Sequence, residues 1–173
     1  VERPEGMSWL GVLEDVTGTE VVGYRAPLFS LTPSTTWAPD ILTGLGFRYS
    51  SSVLPAPNPI RGFPAAPRVP FAWPCGLVEL PCPVFGYGRA AMPFLGGVYL
   101  RYLPTRLVRT LAGRSRHDAC LWLYCHPYDV DDTGVALSLP HAGRVTTWIL
   151  GHRRGSAPRS IARALPSGPR AQP

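Results

Sequence analysis

Seven prolines fall between Pro55 and Pro74, at positions 55, 57, 59, 64, 67, 70 and 74. Each ring fixes φ and removes a backbone donor, so neither a helix interior nor a central strand can run through the stretch. An ordered surface excursion or a lid is expected there, with regular elements on either side of it.

Before the proline stretch, Trp9, Leu13 and Val16 share one face of a helix expected over 7–16, with Gly18 as its C′ residue. A short strand is expected over Thr19–Tyr24, ending at Arg25. Thr32-Pro33 has the form of an N-cap and N1 pair ahead of Trp37, Ile41 and Leu45, and Gly46 closes that segment. Pro39 is awkward inside a helix and moves its start toward that residue. Phe47–Val53 reads as a second strand and Leu77–Leu80 as a brief one, and the Gly-rich stretch 86–97 as loop. Pro104 opens a helix carrying Leu107 and Leu111 that Gly113 ends. The run from Ala119 to Cys125 is short, continuous and apolar, as buried parallel strands are. A last amphipathic helix is expected over His141–Leu150, followed by an unstructured Arg/Pro-rich tail over 152–173. Strands alternating with helices argue for an α/β domain with a parallel sheet or barrel, whose active site lies at the C-terminal ends of the strands.

The formal charge of +6 is unevenly spread. Residues 1–132 hold eleven Arg and eleven acidic residues, whereas the last 41 hold six Arg and no Asp or Glu. The basicity belongs to the C-terminal end, without the interleaved aromatics of a nucleic-acid-binding stripe, so no nucleic-acid partner is expected. Every cationic side chain other than histidine is Arg, which excludes Schiff-base chemistry. Cys75, Cys82, Cys120 and Cys125 lack zinc-site spacing and are expected as free thiols, Cys120 and Cys125 within a buried run. No apolar run approaches the ~20 residues that span a bilayer. The charged start lacks a signal-peptide core and an initiator Met, so the chain reads as a piece of something longer, placed in the cytoplasm or on the cytoplasmic side of a membrane.

Arg25 and His126 both fall at the C-terminal ends of expected strands. Arg25 precedes Ala26-Pro27, which forces an extended exit, and its planar fork suits a carboxylate. Alone, an arginine there is more often a surface or salt-bridging group, and a lone strand-terminal histidine more often a satisfied one. As a pair, a titratable imidazole near a fixed cation suits general acid catalysis.

Gly-Tyr-Arg-Ala-Pro-x-Phe-Ser at 23–30, Trp37-Ala38, Phe47-x-Tyr49-x-Ser-Ser at 47–52, Gly96-Gly97-x-Tyr99-x-Arg101-x-Leu-Pro at 96–104 and Tyr124-x-His126-Pro127 occur in that order. Together they resemble the polysaccharide deacetylase (NodB-homology) family, in particular its exopolysaccharide-locus branch with a C-terminal extension. The resemblance runs from about residue 7 to 150 and covers the C-terminal part of that family only. It implies the C-terminal part of a distorted (β/α) barrel with a disordered basic tail: barrel over 1–54, remaining barrel elements and extension over 55–151, tail over 152–173. It also implies a hydrolase that removes N-acetyl groups from a sugar polymer, in which a divalent metal, zinc in the full-length family, activates water. Arg25 would orient an aspartate base and His126 would protonate the leaving amine. Tyr24, Trp37 and Tyr99 would shape the sugar groove, or simply pack.

Two departures bear on activity. The family's Asp-bearing strand end and its His-x3-His pair belong before residue 7 and are not in this chain, so no metal is expected on it and it is expected to be inactive alone. The family's Tyr-Asp-Ser-Ser stands here as Tyr49-Ser50-Ser51-Ser52. A non-catalytic carbohydrate-binding or assembly fragment is the alternative, and a basic-tailed interaction protein a third reading.

Overall fold

The computed structural model describes residues 9–58, 62–115, 120–131, 133, 143–153 and 155–164. The first helix, α1 (Trp9–Thr17), ends where expected: Gly18 takes φ +63° and its N–H donates to the Glu14 carbonyl at 2.8 Å. Its apolar face is less covered than the pattern implies, with Leu13 52% and Val16 81% exposed. Glu14 accepts the Val21 N–H at 2.9 Å and so ties α1 to the chain that enters the sheet.

The strands are short. β1 (Gly23–Tyr24) occupies only the end of the expected 19–24 segment. Thr32 caps a separate 3-10 turn, Pro33–Thr35, through a reciprocal capping box with Thr35, rather than opening the helix that follows. That helix, α2 (Ala38–Gly44), begins at Ala38 because the Pro39 ring fits only a first turn. β2 (Tyr49–Ser50), β3 (Phe71–Ala72) and β4 (Val78–Glu79) complete a sheet of order β1-β2-β4-β3. β1, β2 and β4 run parallel, and β3 is antiparallel to β4 across a turn closed by Gly76 at φ +89°. The sheet therefore joins residues from both sides of the proline stretch. A cross-chain approach fixes one glycine in it, since a Cβ on Gly23 would collide with the Tyr49 ring.

The Gly-rich stretch read as loop contains half of a small hairpin, β5 (Val84–Phe85) with β6 (Met92–Pro93). Two helices follow, α3 (Gly97–Tyr102) and α4 (Thr105–Ser115), and Gly113 lies inside α4 instead of ending it. The expected buried strand at 119–125 is corrected among its described residues. Residues 120–125 make one bridge, Gly96 with Tyr124, and Cys120 and Cys125 are exposed. The reason is chemical. The neighbouring segment carries Pro81 and Pro83, which have no N–H to give a ladder, and the Trp122 indole N–H instead serves the carbonyls of Leu80 (3.2 Å) and Pro81 (3.1 Å). The run still alternates, with Leu121 and Leu123 packed on one core and Trp122 and Tyr124 on another.

Three helices close the described chain: α5 (Pro127–Val130), α6 (Arg144–Gly151) and α7 (Ala157–Ala164). α6 matches the last expected helix closely, although His141 lies outside the described residues, as do Met7, His117 and 165–173. α7 corrects the expectation of an unstructured tail from 152 onward. Its Ile161 packs against the core of Phe94, Leu95, Leu100, Val108 and Leu111, an apolar seat that the composition of the segment hides. Two smaller cores lie around Leu54, Ala56, Cys82 and Ala91, and around Leu31, Val53 and Ala66. The molecule is a mixed α/β structure of helices and small sheets. Among the described residues no helix is long and apolar enough to cross a membrane.

Hydrogen exchange tests α7 directly. Amides of 157–164 should be protected in the intact chain, and Ile161→Asp should abolish that protection while leaving α4 protected. Burying part of one such side chain contributes about 1–2 kcal/mol. Unprotected α7 amides in the unmodified chain would restore the unstructured tail.

Candidate functional site

The exit of β1 is held by the two serines that follow β2, Ser51 and Ser52. Ala26 sits at φ −65°, ψ 135°, the extended form that Pro27 imposes. Its N–H donates to Ser52 Oγ at 2.8 Å, the Ser51 N–H donates to the Tyr24 carbonyl at 3.0 Å, and Arg25 Nε donates to Ser51 Oγ at 2.8 Å. Beneath them Glu79, fully buried at the end of β4, accepts the N–H groups of Ser52 (2.6 Å) and Val53 (2.9 Å) on one carboxylate oxygen. Ser50 is also fully buried and shares a 2.8 Å hydrogen bond with Ser52 Oγ. The chain then turns sharply, with Leu28 (φ +56°) and Phe29 (φ +52°) in the left-handed region that non-glycine residues rarely occupy. The turn puts Phe29 edge-on to Tyr124, ring centroids 5.3 Å apart.

The Arg25 guanidinium lies 4.0 Å from the centroid of the Trp122 ring and 6.0 Å from that of Tyr124. Burial lowers its pKa from the usual 12.5, with Cys82 and Tyr124 pulling the other way, and an arginine so shifted stays charged at neutral pH. Burial raises the pKa of Cys82 from 9.0 to about 12 against the pull of Arg25, so this thiol is a packing group rather than a nucleophile. Burial likewise pushes the Tyr99 and Tyr124 phenols up, keeping both protonated.

His126 is placed by a different device. It occupies the N-cap of α5, with Pro127 at N1 and Asp129 at N3. Asp129 Oδ2 accepts the His126 backbone N–H at 2.9 Å and lies 3.3 Å from its Nδ1. The other oxygen, Oδ1, is 3.0 Å from Arg101 Nε, and both side chains are fully buried. Gly97, at the start of α3, makes room for this pair, because a Cβ there would collide with the Asp129 carboxylate. The imidazole is further fixed by stacking on Tyr128 (4.7 Å, 8°) and by the edge contact with Tyr124 (5.8 Å). With Nδ1 beside the carboxylate, Nε2 is the nitrogen left to a ligand.

These two constructions meet in one cavity of about 350 Å³, whose polar lining is Arg25, Asn58, Tyr99, Tyr124 and His126, set among Leu28, Phe29, Leu54 and Pro93. Arg25, Tyr99 and His126 of the expected residues share it. Tyr24 does not line it and packs on Phe47 at 5.6 Å, and Trp37 stands 60% exposed ahead of α2. Ser50 lies behind the wall. Sequence reasoning missed Asp129 and Glu79. The pattern His126-Pro127-x-Asp129 was the available signal for the first, since Asp at N3 after a capped N1 proline is a helix-start signature. Nothing local marks Glu79, one acidic residue between Val78 and Leu80.

The lining fits an organic ligand with hydroxyl and acceptor groups better than a divalent ion. Its donors are a guanidinium, an amide, two protonated phenols and one imidazole, and the guanidinium repels a cation. Among the described residues no group of three or more His, Cys, Asp or Glu gathers to hold a metal.

Asp129→Asn should leave the Arg101 charge uncompensated in the interior and cost about 3–5 kcal/mol in urea unfolding, whereas a loss near that of a surface pair, under about 1 kcal/mol, would show the pair to be solvated. Cys82 supplies a pH test. Its folded pKa of about 12 exceeds the unfolded 9.0, so the folded chain keeps a proton that the unfolded chain gives up. Stability should fall as pH rises from 9 toward 12, by at most about 1.4 kcal/mol per pH unit from this group. Cys82→Ala should flatten that slope in denaturation midpoints measured at pH 8 and pH 10.

A family model described as a domain of unknown function, DUF3473, matches residues 51–159. No curated protein and no solved structure matches the chain. The matched segment contains Ser51, Ser52, Glu79, the Arg101–Asp129 pair and His126, while Arg25 and Ser50 lie ahead of it. With the larger part of its length covered by that model, the chain belongs to the DUF3473 family.

Proposed function

We propose that this chain carries the proton-donating side of a polysaccharide deacetylase-like cleft, which hydrolyses N-acetyl groups on a sugar polymer. The observation that supports it most is the convergence of Arg25 and His126, far apart in sequence, on one cavity that also holds Tyr99. In this reading His126, oriented through Nδ1 by Asp129, gives a proton from Nε2 to the departing amine. Asp129 faces the ring from its Nδ1 side, and Arg101 holds the other carboxylate oxygen at 3.0 Å. Arg25, with Nε on Ser51, offers its remaining N–H groups to the carboxylate of an aspartate base. The protonated phenols of Tyr99 and Tyr124 donate to sugar hydroxyls.

In this reading the aspartate and the metal donors come from sequence outside this chain, and the edge position of β1, paired in parallel with β2 alone among the described residues, suits the addition of a further strand from that sequence. The complete protein is then a distorted (β/α) barrel that acts in the cytoplasm or on the cytoplasmic side of a membrane. One observation favours the second reading, a carbohydrate-binding piece without catalysis: Arg25 is engaged by Trp122 and Ser51, a packing role that needs no carboxylate.

Acetate release from N-acetylglucosamine oligomers separates the two, measured for the chain alone and for the chain extended with the coding sequence upstream of Val1. The chain alone should release none and hold no stoichiometric zinc. The extended protein should release acetate when supplied with zinc, and His126→Ala should lower its kcat by roughly 10²–10⁴ with oligomer affinity kept. An extended protein that binds the oligomers and releases no acetate would overturn the hydrolase in favour of the binding piece.

A further inference from the structure

α7 brings a second polar cavity with it. About 350 Å³ in volume, it lies against α3 and α7 and is lined by Arg101, Tyr102, Arg153, Ser156, Arg159 and Arg163, with Leu103–Thr105 at one side. It shares no lining residue with the cavity of Arg25 and His126.

The sequence builds it in three steps. Arg159 and Arg163 are four residues apart, so they fall on one face of α7, while Ile161 anchors the helix in the core. Tyr102 donates its hydroxyl to the Ile149 carbonyl at 3.0 Å and Arg101 donates Nη1 to the His152 carbonyl at 2.7 Å, which pins the end of α6 and the loop after it onto α3. The loop then turns through Arg153 at φ +56° and Gly155 at φ +68°, closed by the Ser156 hydroxyl on the Arg153 carbonyl at 2.6 Å and by the Gly155 N–H on the Asp129 carbonyl at 3.1 Å. Arg153 is left facing the Tyr102 ring, 6.0 Å from its centroid.

Four guanidiniums thus converge where the charge is unbalanced. Asp129 matches Arg101. Among the described residues no carboxylate lines the cavity or pairs with Arg153, Arg159 or Arg163. No Asp or Glu occurs anywhere after residue 132, so this end of the chain has none of its own to supply. Like charges four residues apart on a helix disfavour it, and folding α7 onto Arg101 and Arg153 adds to that cost. A multiply charged anion reverses the sign of every one of these terms. The chemistry of the donors narrows its class. Arginine forks match the tetrahedral oxygens of phosphate two at a time, and the Thr105 hydroxyl adds a neutral donor. The arginines close on one pocket instead of running as a stripe with interleaved aromatics, which is the form a nucleic-acid groove takes.

We propose that this arginine cavity is a binding site for a phosphate or diphosphate group. The inference is independent of the hydrolase reading and stands on α3, α7 and the loop between α6 and α7. Two sources of the group are compatible with it, a soluble phosphate ester and an anionic lipid headgroup.

The test uses the whole chain and inorganic pyrophosphate, followed by titration calorimetry at low ionic strength. One site should saturate and should weaken as sodium chloride is raised. Arg159→Gln with Arg163→Gln should weaken binding by about tenfold or more, since each substitution removes a charge-assisted bond to the anion. Arg106→Gln with Arg109→Gln, a pair of exposed arginines on α4 outside the cavity, removes the same charge and should leave binding unchanged. Circular dichroism and thermal melts establish that both variants fold. Equal weakening by the two pairs would mean diffuse attraction and overturn the site, as would the absence of saturable binding. Co-sedimentation with phosphatidylglycerol vesicles, competed with pyrophosphate, distinguishes the sources. Vesicle binding that pyrophosphate displaces and the α7 pair weakens assigns the lipid headgroup, and pyrophosphate binding without vesicle binding assigns the soluble ester.

Discussion

The buried pair of Arg101 and Asp129 is the interaction on which most of the C-terminal half depends. An ion pair taken fully out of water is costly to make and costlier to break, because losing one member strands the other charge. Here the cost is offset by reuse. Asp129 caps its own helix, steadies His126 and faces Arg101, while Arg101 also holds the His152 carbonyl. One carboxylate therefore fixes the relative positions of α3, α5 and the chain leaving α6. Gly97 belongs to the same unit, for any side chain at that position would occupy the space of the carboxylate.

The N-terminal half rests on a second buried acid used in a different way. Among the described residues Glu79 forms no salt bridge, and it takes backbone N–H groups from Ser52 and Val53, doing for the end of β2 what a further strand would do by ladder bonds. Because β1, β2 and β4 are only two residues long, side chains carry the work of registration. Ser51 and Ser52 reach across to Arg25 and Ala26, and the short sheet stays aligned through hydroxyls and one carboxylate.

What could be read from the sequence follows from the range of the forces involved. Local chemistry was legible. Gly18 ends α1, Pro39 delays α2, and Arg25 and His126 border one cavity, although His126 reaches it from a helix start and not from a strand end. Long-range compensation was not. An apolar run at 120–125 looks like a buried strand until Pro81 and Pro83 are seen beside it, withholding the donors a ladder needs. A basic, proline-bearing tail looks unstructured until Ile161 finds a seat on Phe94 and Leu100. Glu79 escaped for the same reason, since a single acid between apolar neighbours carries no periodicity and its value lies wholly in what folds over it, whereas Asp129 carried a local signature at the third position of a proline-led helix start. The DUF3473 match, starting at residue 51, takes in both acids and leaves Arg25 outside.

Arg101 borders the arginine cavity, and the carboxylate it grips steadies the imidazole bordering the other. The two chambers are thus neighbours across a party wall one ion pair thick. Thermodynamic reciprocity applies to such a partition: whatever preference an occupant of one room has for the stance of that pair, the other room must return in equal measure. A wall of this kind insulates only as long as neither tenant leans on it.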